Sequence, residues 1–496
     1  MSARSTLARL APFAAALVAA AHAASFIGHG PCDDDFITYR YARNLIEGHG
    51  LVFNVGERIE GFSAPGWMLL VAGALSLGAD PELFSVAASV CAAGVAAWAI
   101  GELWRARHPE SISAGPAWLV AATPAIAWHA IIGLGTVLLA ALLACFALAW
   151  ERARAREGRA LAAALFVGLA ALVRNEAVLF ALPFVLEERR RGWLARAALA
   201  LGPLAAWQTF RLVYFGRLTP VTYSVKKLAF ADDVRLGLEY LAESNTECGI
   251  GVIIVLTAVA WSSARGPGPL RALALGLLAH VAYVVYVGGD FLPFARFFVP
   301  VLPIGAWLAF EGARTWLGQR RALAALAFVA AVALLQLQQT RRAEFAADHA
   351  DSEPRWKLMG ESVARAVPSQ TKVALAPIGA FGWVSRLPIV DMLGLTNDAI
   401  LLAPPDPGIT IKGHQRYDAQ WVLDQRPEMI IIGNGWLHRG PRGEPELKAS
   451  HWERTLVEHP QFNERYAPLK LEIAGSYPLL FFWLRDTPPP KGASAL

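Results

Sequence analysis

The sequence predicts a mostly α-helical, polytopic transmembrane bundle followed by a smaller exported α/β domain. Three observations predict it. The 496 residues are 55% hydrophobic and only 17% charged, against about 25% charged in a soluble domain. Apolar runs near the spanning length of about 20 residues recur from the N-terminus to about Gln338. Beyond Gln338 charges, prolines and polar residues return, and no run is long enough to span. The chain therefore divides at 1–339 and 340–496. Backbone polar groups find no water in lipid, so the apolar runs are expected as helices.

Basic loops set the path through the bilayer. The pI is about 9.1, which in a soluble protein could indicate nucleic acid. Here no nucleic-acid motif accompanies the arginines, which sit in short loops between apolar runs and set topology. The loops are Arg105/Arg107, Arg152/Arg154/Arg156/Arg159, Arg189/Arg190/Arg191/Arg196, Arg265/Arg271 and Arg314/Arg320/Arg321. Placing them all in the cytoplasm gives about 11 crossings: 8–28, 82–104, 112–129, 133–150, 159–173, 176–187, 194–215, 247–263, 271–288, 294–312 and 321–338. The first run could also be a cleaved signal peptide, with Ala21-His22-Ala23 as its site. It continues to Ile27, long enough to remain as a span. The stretch "SAPGWMLLVAGALSLG" (Ser63–Gly78) is short and glycine-rich, and a crossing there would invert every later loop. It is expected to lie in the outer interface, inside a long first outer loop, 29–81.

With this orientation, charges that would be costly in lipid gather at the outer face. They are Asp33, Asp34 and Asp35, then Arg174 and Glu176, then Lys226 and Lys227, then Asp290 and Arg296. Acids with Arg, Lys and aromatics at an outer leaflet suit a reaction on a lipid-linked phosphate. A carboxylate, Asp33 or Asp34, can take the proton of an acceptor hydroxyl. Arg40, Lys226 and Arg296 can hold the departing phosphate. Tyr39, Tyr41, Trp67 and Tyr223 could wall a sugar pocket. Asp35, Arg43, Glu60, Arg174, Glu176 and Asp290 complete the substrate-binding candidates.

Plainer readings stand beside these. The three acids could favour the N-terminus of the helix "DFITYRYARNLIEG", which Gly48 would end. Arg174 and Glu176 could be a local ion pair, and Lys226/Lys227 could touch lipid headgroups. His49 reads as a loop residue. No His/Cys spacing suggests zinc, while three adjacent acids also offer oxygen ligands to Mg or Mn. Cys91 and Cys145 fall in spans. Cys32 and Cys248 fall at outer ends, where a disulfide is permitted, although nothing in the sequence shows that they meet. A membrane transporter or lipid-sugar flippase is the alternative class, but it would put ionisable groups near the midplane and often carry internal repeats. A non-catalytic assembly protein is a third.

The stretch "DDDFITYRYARNLIEGHGLVFNVGERIEGFSAPGW" (Asp33–Trp67) resembles the first outer loop of GT-C membrane glycosyltransferases related to the cell-wall terminal arabinofuranosyltransferases. "LVRNEAVLFALP", "RLVYFGRLTPVTYSVK", "VGGDFLPFARFFVPVLP", "IVDMLGLTND" and "GHQRYDAQWVLDQRPEMIII" resemble further segments in the same order. The resemblance implies a GT-C fold and transfer of a sugar, arabinofuranose or another pentose, from a polyprenyl-phosphate donor to a glycan or protein acceptor. The implied site faces the periplasm of a bacterial inner membrane. Asp33 and Asp34 match the family's paired acids, Lys226 its outer-segment lysine, and Asp290 and Arg296 its GGD…RF positions. Three positions depart from the pattern: Asp35 stands for a usual Ala, Gly135 for a usual Glu, and Val221 for a usual Asn.

In the C-terminal part, "KVALAPIGAFGWVSRLPIVDMLGL" and "YDAQWVLDQRPEMIIIGN" alternate strand and helix patterns. A small α/β domain follows. Asp391 and Asp398, near a strand end, are candidates for ligand binding there or for turn caps. The last residues, "DTPPPKGASAL", are expected to lack fixed structure.

Overall fold

A computed structural model describes residues 3–28, 30–111, 114–155, 160–187, 192–264, 266, 268–318, 352–406, 408–409, 411–433, 438–439, 445–446, 449–473 and 478–495. The expected span 321–338, and Arg156, Arg159, Arg189, Arg190, Arg191, Arg265, Arg320 and Arg321, lie outside these residues.

The helical part runs α1 (Ala3–Ala24), α2 (Asp33–Ile46), α3 (Pro65–Ser76), α4 (Pro81–Arg107), α5 (Gly115–Ala122), α6 (Pro124–Ile132), α7 (Thr136–Ala155), α8 (Leu161–Val173), α9 (Val178–Glu187), α10 (Trp193–Phe215), α11 (Val221–Lys226), α12 (Phe230–Cys248), α13 (Ile250–Ser263), α14 (Pro269–Val287) and α15 (Leu302–Leu317). Among the described residues, three helices are long and apolar enough to cross a membrane: Pro81–Arg107, Thr136–Arg154 and Pro269–Val287. The number is up to five if the bent pairs α5/α6 (53°) and α12/α13 (92°) each form one span. Among the described residues other expected spans fall below that length: Leu161–Val173 has 13 residues, Leu302–Leu317 has 16, and Val178–Glu187 has 10 and a proline inside it. Small residues set the packing distances. Gly312 lies against the backbone of Leu256 and Gly168 against that of Leu199, so a β-carbon at either would overlap a carbonyl.

Helix α2 begins and ends as its residues dictate. Asp33, Asp34 and Asp35 occupy the first turn, where acids complement the helix dipole. Gly48, at φ +84°, closes the other end. The Gly48 amide donates to Leu45 and that of His49 to Asn44, a Schellman arrangement that needs a left-handed residue at this point. Helix α3, from the stretch expected in the interface, is apolar and 12 residues long.

The C-terminal part is an α/β unit. Strands β1 (Val373–Leu375), β2 (Ile389–Asp391) and β3 (Met429–Ile430) pair in parallel in the order 2-1-3. Helices Gly379–Ser385 and Ala419–Asp424 lie between them in sequence. A small hairpin joins β4 (His438–Arg439) to β5 (Pro445–Glu446). Strands β6 (Tyr466–Leu471), β7 (Leu479–Leu484) and β8 (Ala493–Ala495) continue the main sheet antiparallel, in the order 2-1-3-7-6-8. The chain end therefore departs from the expectation of no fixed structure: 493–495 form an edge strand on Leu469–Leu471, and the Lys491 amide donates to Ala366.

This unit docks on the segment from α2 to the start of α4. Arg40 donates through Nη1 and Nη2 to the Gly382 and Leu387 carbonyls, at 2.9 and 2.8 Å. Arg43 donates to the Trp383 carbonyl at 2.7 Å and stacks on that indole. The Asn54 side chain exchanges two bonds with the Ile389 backbone. Lys357 pairs with Glu82, and Arg386 with Glu47.

Candidate active site

Where each first-loop residue points decides what it can do. The three adjacent acids diverge, as successive residues of a helix must. Asp33 accepts from the amides of Gly379 and Ala380 at 2.9 and 2.7 Å, capping the C-terminal unit's helix Gly379–Ser385 and not its own. Burial, partly offset by those two bonds, raises its pKa to about 7. Asp35 is fully buried against the turn between α6 and α7, where a β-carbon on Gly133 would lie 2.3 Å from Oδ2. Neither of its oxygens has a hydrogen-bond partner among the described residues, and burial raises its pKa well above the usual range. Asp34 turns to a small cavity of about 70 Å³, lined also by Thr38, Ser63, Arg174, Thr222, Lys226 and Arg296. No hydrogen bond ties the Asp34 carboxylate to another described residue.

Next to it, sharing Ser63, Arg174, Thr222, Lys226 and Arg296, is a larger cavity of about 260 Å³. Its wall adds Glu176, Tyr223, Lys227, Tyr283 and Lys412. Lys226 stands at the end of α11, which is anchored to the first loop because the Val221 amide donates to the Glu60 carbonyl. Burial lowers the Lys226 pKa. Arg174 pairs with Glu176 at 2.5 Å, so the local ion pair exists and also lines the cavity.

Arg296 pairs with Asp290 across the turn 289–298. That turn holds Phe294 and Ala295 in the left-handed region, at φ 58° and 53°, a strained state for residues with side chains. Three side chains from neighbouring helices fix it. His129 Nε2 donates to the Pro293 carbonyl, His280 Nε2 to that of Phe297, and the Phe297 amide donates to the Tyr240 hydroxyl. The turn is thereby fixed with Arg296 aimed at the cavity.

The structure thus brings Asp34, Arg174, Glu176, Tyr223, Lys226 and Arg296 to one connected cavity, with Asp290 behind Arg296. Arg40 and Arg43 are turned to the docked domain. Tyr41 donates to the Ile59 carbonyl and accepts from the Gly61 amide. Glu60 is taken by Arg211 of α10 in a two-point pair at 2.5 and 3.1 Å, with both side chains at most 1% exposed. Tyr39 packs on Phe36 and Trp383, and Trp67 stacks on Phe84 beside Gly135. Asp391 caps its own turn through Leu393, Gly394 and Thr396, and Asp398 pairs with Arg217 at 2.6 Å. None of the four cysteines is in a disulfide, so the permitted Cys32–Cys248 bridge is not formed. Among the described residues no group of three His, Cys, Asp or Glu side chains could hold a metal ion.

Sequence reasoning missed Arg211 and Lys412. An arginine near the end of an apolar run signals a buried partner, so Arg211 could have been found. Lys412 lies in an ordinary polar loop, and only its position in space distinguishes it.

Comparison with known proteins points the same way as the first-loop pattern. The chain is 30% identical over 281 residues to a terminal β-(1→2)-arabinofuranosyltransferase of Mycobacterium tuberculosis, covering 51% of this chain and 44% of that protein. A protein of the same name from Corynebacterium glutamicum is 26% identical over 328 residues, covering 55% and 46%. This chain is similar to terminal arabinofuranosyltransferases. The matches span less than half the length of either relative. Residues 338–478 match a family model described as a domain of unknown function (DUF8728). Among solved structures, ArnT from Cupriavidus metallidurans bound to undecaprenyl phosphate aligns with a TM-score of 0.48 at 12% identity, covering 78% of this chain and 85% of that one.

Proposed function

We propose that this chain is a membrane glycosyltransferase. It moves a sugar, arabinofuranose or a related pentose, from a polyprenyl-phosphate donor to a hydroxyl of a cell-envelope glycan or protein acceptor. The site works on the periplasmic side of a bacterial inner membrane. One observation carries the reading: a carboxylate without hydrogen-bond partners among the described residues, Asp34, shares a cavity wall with Lys226 and Arg296. The similarity to named arabinofuranosyltransferases supports the sugar class.

In this reading Asp34 accepts the proton of the acceptor hydroxyl, and the hydroxyl oxygen attacks the anomeric carbon. The bond from that carbon to the donor phosphate breaks, and its electron pair leaves on the phosphate oxygen. Lys226 and Arg296 meet the charge that develops there. A single displacement inverts the anomeric centre. Asp33 acts at a distance from the chemistry, holding the exported domain in place, and Arg40 and Arg43 share that task.

The test uses the purified full chain in liposomes, with a synthetic short-chain polyprenyl-phosphoryl-arabinofuranose and an oligosaccharide acceptor. Mass spectrometry reads the added pentose, and NMR reads its anomeric configuration. A product with inverted configuration is expected. Retained configuration would overturn the single-displacement mechanism, and no transfer by protein that binds the lipid would overturn the function.

A further inference from the structure

The larger cavity is lined by five cations, Arg174, Lys226, Lys227, Arg296 and Lys412. Four come from the helical part. The fifth, Lys412, comes from a loop of the exported domain and is 7% exposed at its side chain. Its ammonium contacts Oδ1 of the fully buried Asp233, whose Oδ2 already accepts from Lys227 Nζ at 2.8 Å. The loop is seated closely. A β-carbon on Gly413 would lie 3.0 Å from Cε of Lys226, and one on Gly288 would lie 2.5 Å from Nζ of Lys412. Arg416 secures the loop further by donating to the Lys227 carbonyl at 3.2 Å.

Charge balance gives this arrangement a direction. Glu176 serves Arg174, Asp290 serves Arg296, and Asp233 must serve both Lys227 and Lys412. No described carboxylate pairs with Lys226. Asp34 on the adjoining wall acts on Lys226 through space, so the five cations face four carboxylates, and three once Asp34 has taken the acceptor's proton. A buried surplus of this kind is costly unless an anion meets it. The donor's phosphate is a diester with one negative charge. When the sugar leaves, it becomes a monoester with a second charge, lost only near or below pH 6. A second unneutralised cation is thus worth more after bond breaking than before it, which is what catalysis requires.

We propose that Lys412 is a phosphate-binding residue of the donor site, so that the site is complete only when the exported domain is docked. This rests on the glycosyltransferase reading above. Lys412 shares Asp233 with Lys227 and turns to the phosphate when it arrives.

The experiment measures binding of farnesyl phosphate, a monoester, and its methyl diester to the full chain in detergent, for wild type, Lys412→Ala, Lys412→Arg and Lys226→Ala. Losing a charge-assisted hydrogen bond predicts a Kd about tenfold or more higher for the monoester with Lys412→Ala. The loss should be smaller for the diester, and Lys412→Arg should recover most of it. Asp233 keeps Lys227 in Lys412→Ala, so the fold is expected to hold, and melting temperature checks it. Unchanged binding with Lys412→Ala, alongside weakened binding with Lys226→Ala, would overturn this proposal and leave the function standing. Equal losses for monoester and diester would refute the role in meeting the second charge. Unchanged binding in both alanine variants would overturn the phosphate site itself.

Discussion

Replacing Asp34 by Asn separates chemistry from structure in this site. The Asp34 carboxylate has no hydrogen-bond partner among the described residues and stands on a cavity wall with Lys226 and Arg296. The amide has the same shape and cannot take a proton, so the fold has little to lose. A positioned general base contributes about 10²–10⁴ in rate, equivalent to about 3–5 kcal/mol of barrier. The expected result is a fall of that size in kcat, with donor KM and melting temperature close to wild type. Asp33→Asn should behave in the opposite way. Its carboxylate meets two backbone amides of helix Gly379–Ser385, and an Asn NH2 turned to one of them leaves a donor unmet. That costs about 1–3 kcal/mol of stability, seen in melting and in proteolysis of the C-terminal unit, with most of kcat retained. The assay is initial-rate transfer in liposomes. Full activity of Asp34→Asn, or a kcat loss confined to Asp33→Asn, would refute the assignment.

Three further outcomes follow from the same geometry. Arg211→Met strands Glu60 in a site where both side chains are at most 1% exposed, and breaking such a pair costs about 3–5 kcal/mol; a melting temperature equal to wild type would contradict the buried pairing. Gly379→Ala would put a β-carbon 1.8 Å from the Asp33 carbonyl oxygen, so the C-terminal unit should undock and become protease-sensitive, and unchanged protection would show that the docked geometry is wrong. The Asp33 pKa is raised to about 7 by burial, above its unfolded value of about 3.9. Its contribution to stability is therefore full below about pH 4 and lost as pH rises through about 7. The melting-temperature difference between wild type and Asp33→Asn should narrow over that window, and a difference flat with pH would argue against it.

Much of the cavity's charged lining could be read from the residues because it obeys one simple constraint. Charges do not stay in lipid, so Arg174, Glu176, Lys226 and Arg296 had to collect at a face, and they line one cavity. The α2 helix and its Gly48 stop were legible from local chemistry, as was the βα alternation that gives β1, β2 and β3. The roles of the first-loop residues were not legible. Arg40 finds its acceptors at Gly382 and Leu387, more than 300 residues away and on backbone carbonyls that carry no side-chain signature. Asp33 and Asp34 read alike in sequence, and only the helix rotation of about 100° per residue separates them. The edge strand at 493–495 was hidden because its pairing comes from backbone groups, while its composition resembles a tail.

The most direct test of the central claim is mass spectrometry of envelope glycans from cells with and without this chain. The account predicts loss of one defined pentose, restored by wild type and by Asp33→Asn expressed at a permissive temperature, but not by Asp34→Asn. An unchanged glycan profile in cells that normally express the protein would contradict it, and so would full restoration by Asp34→Asn.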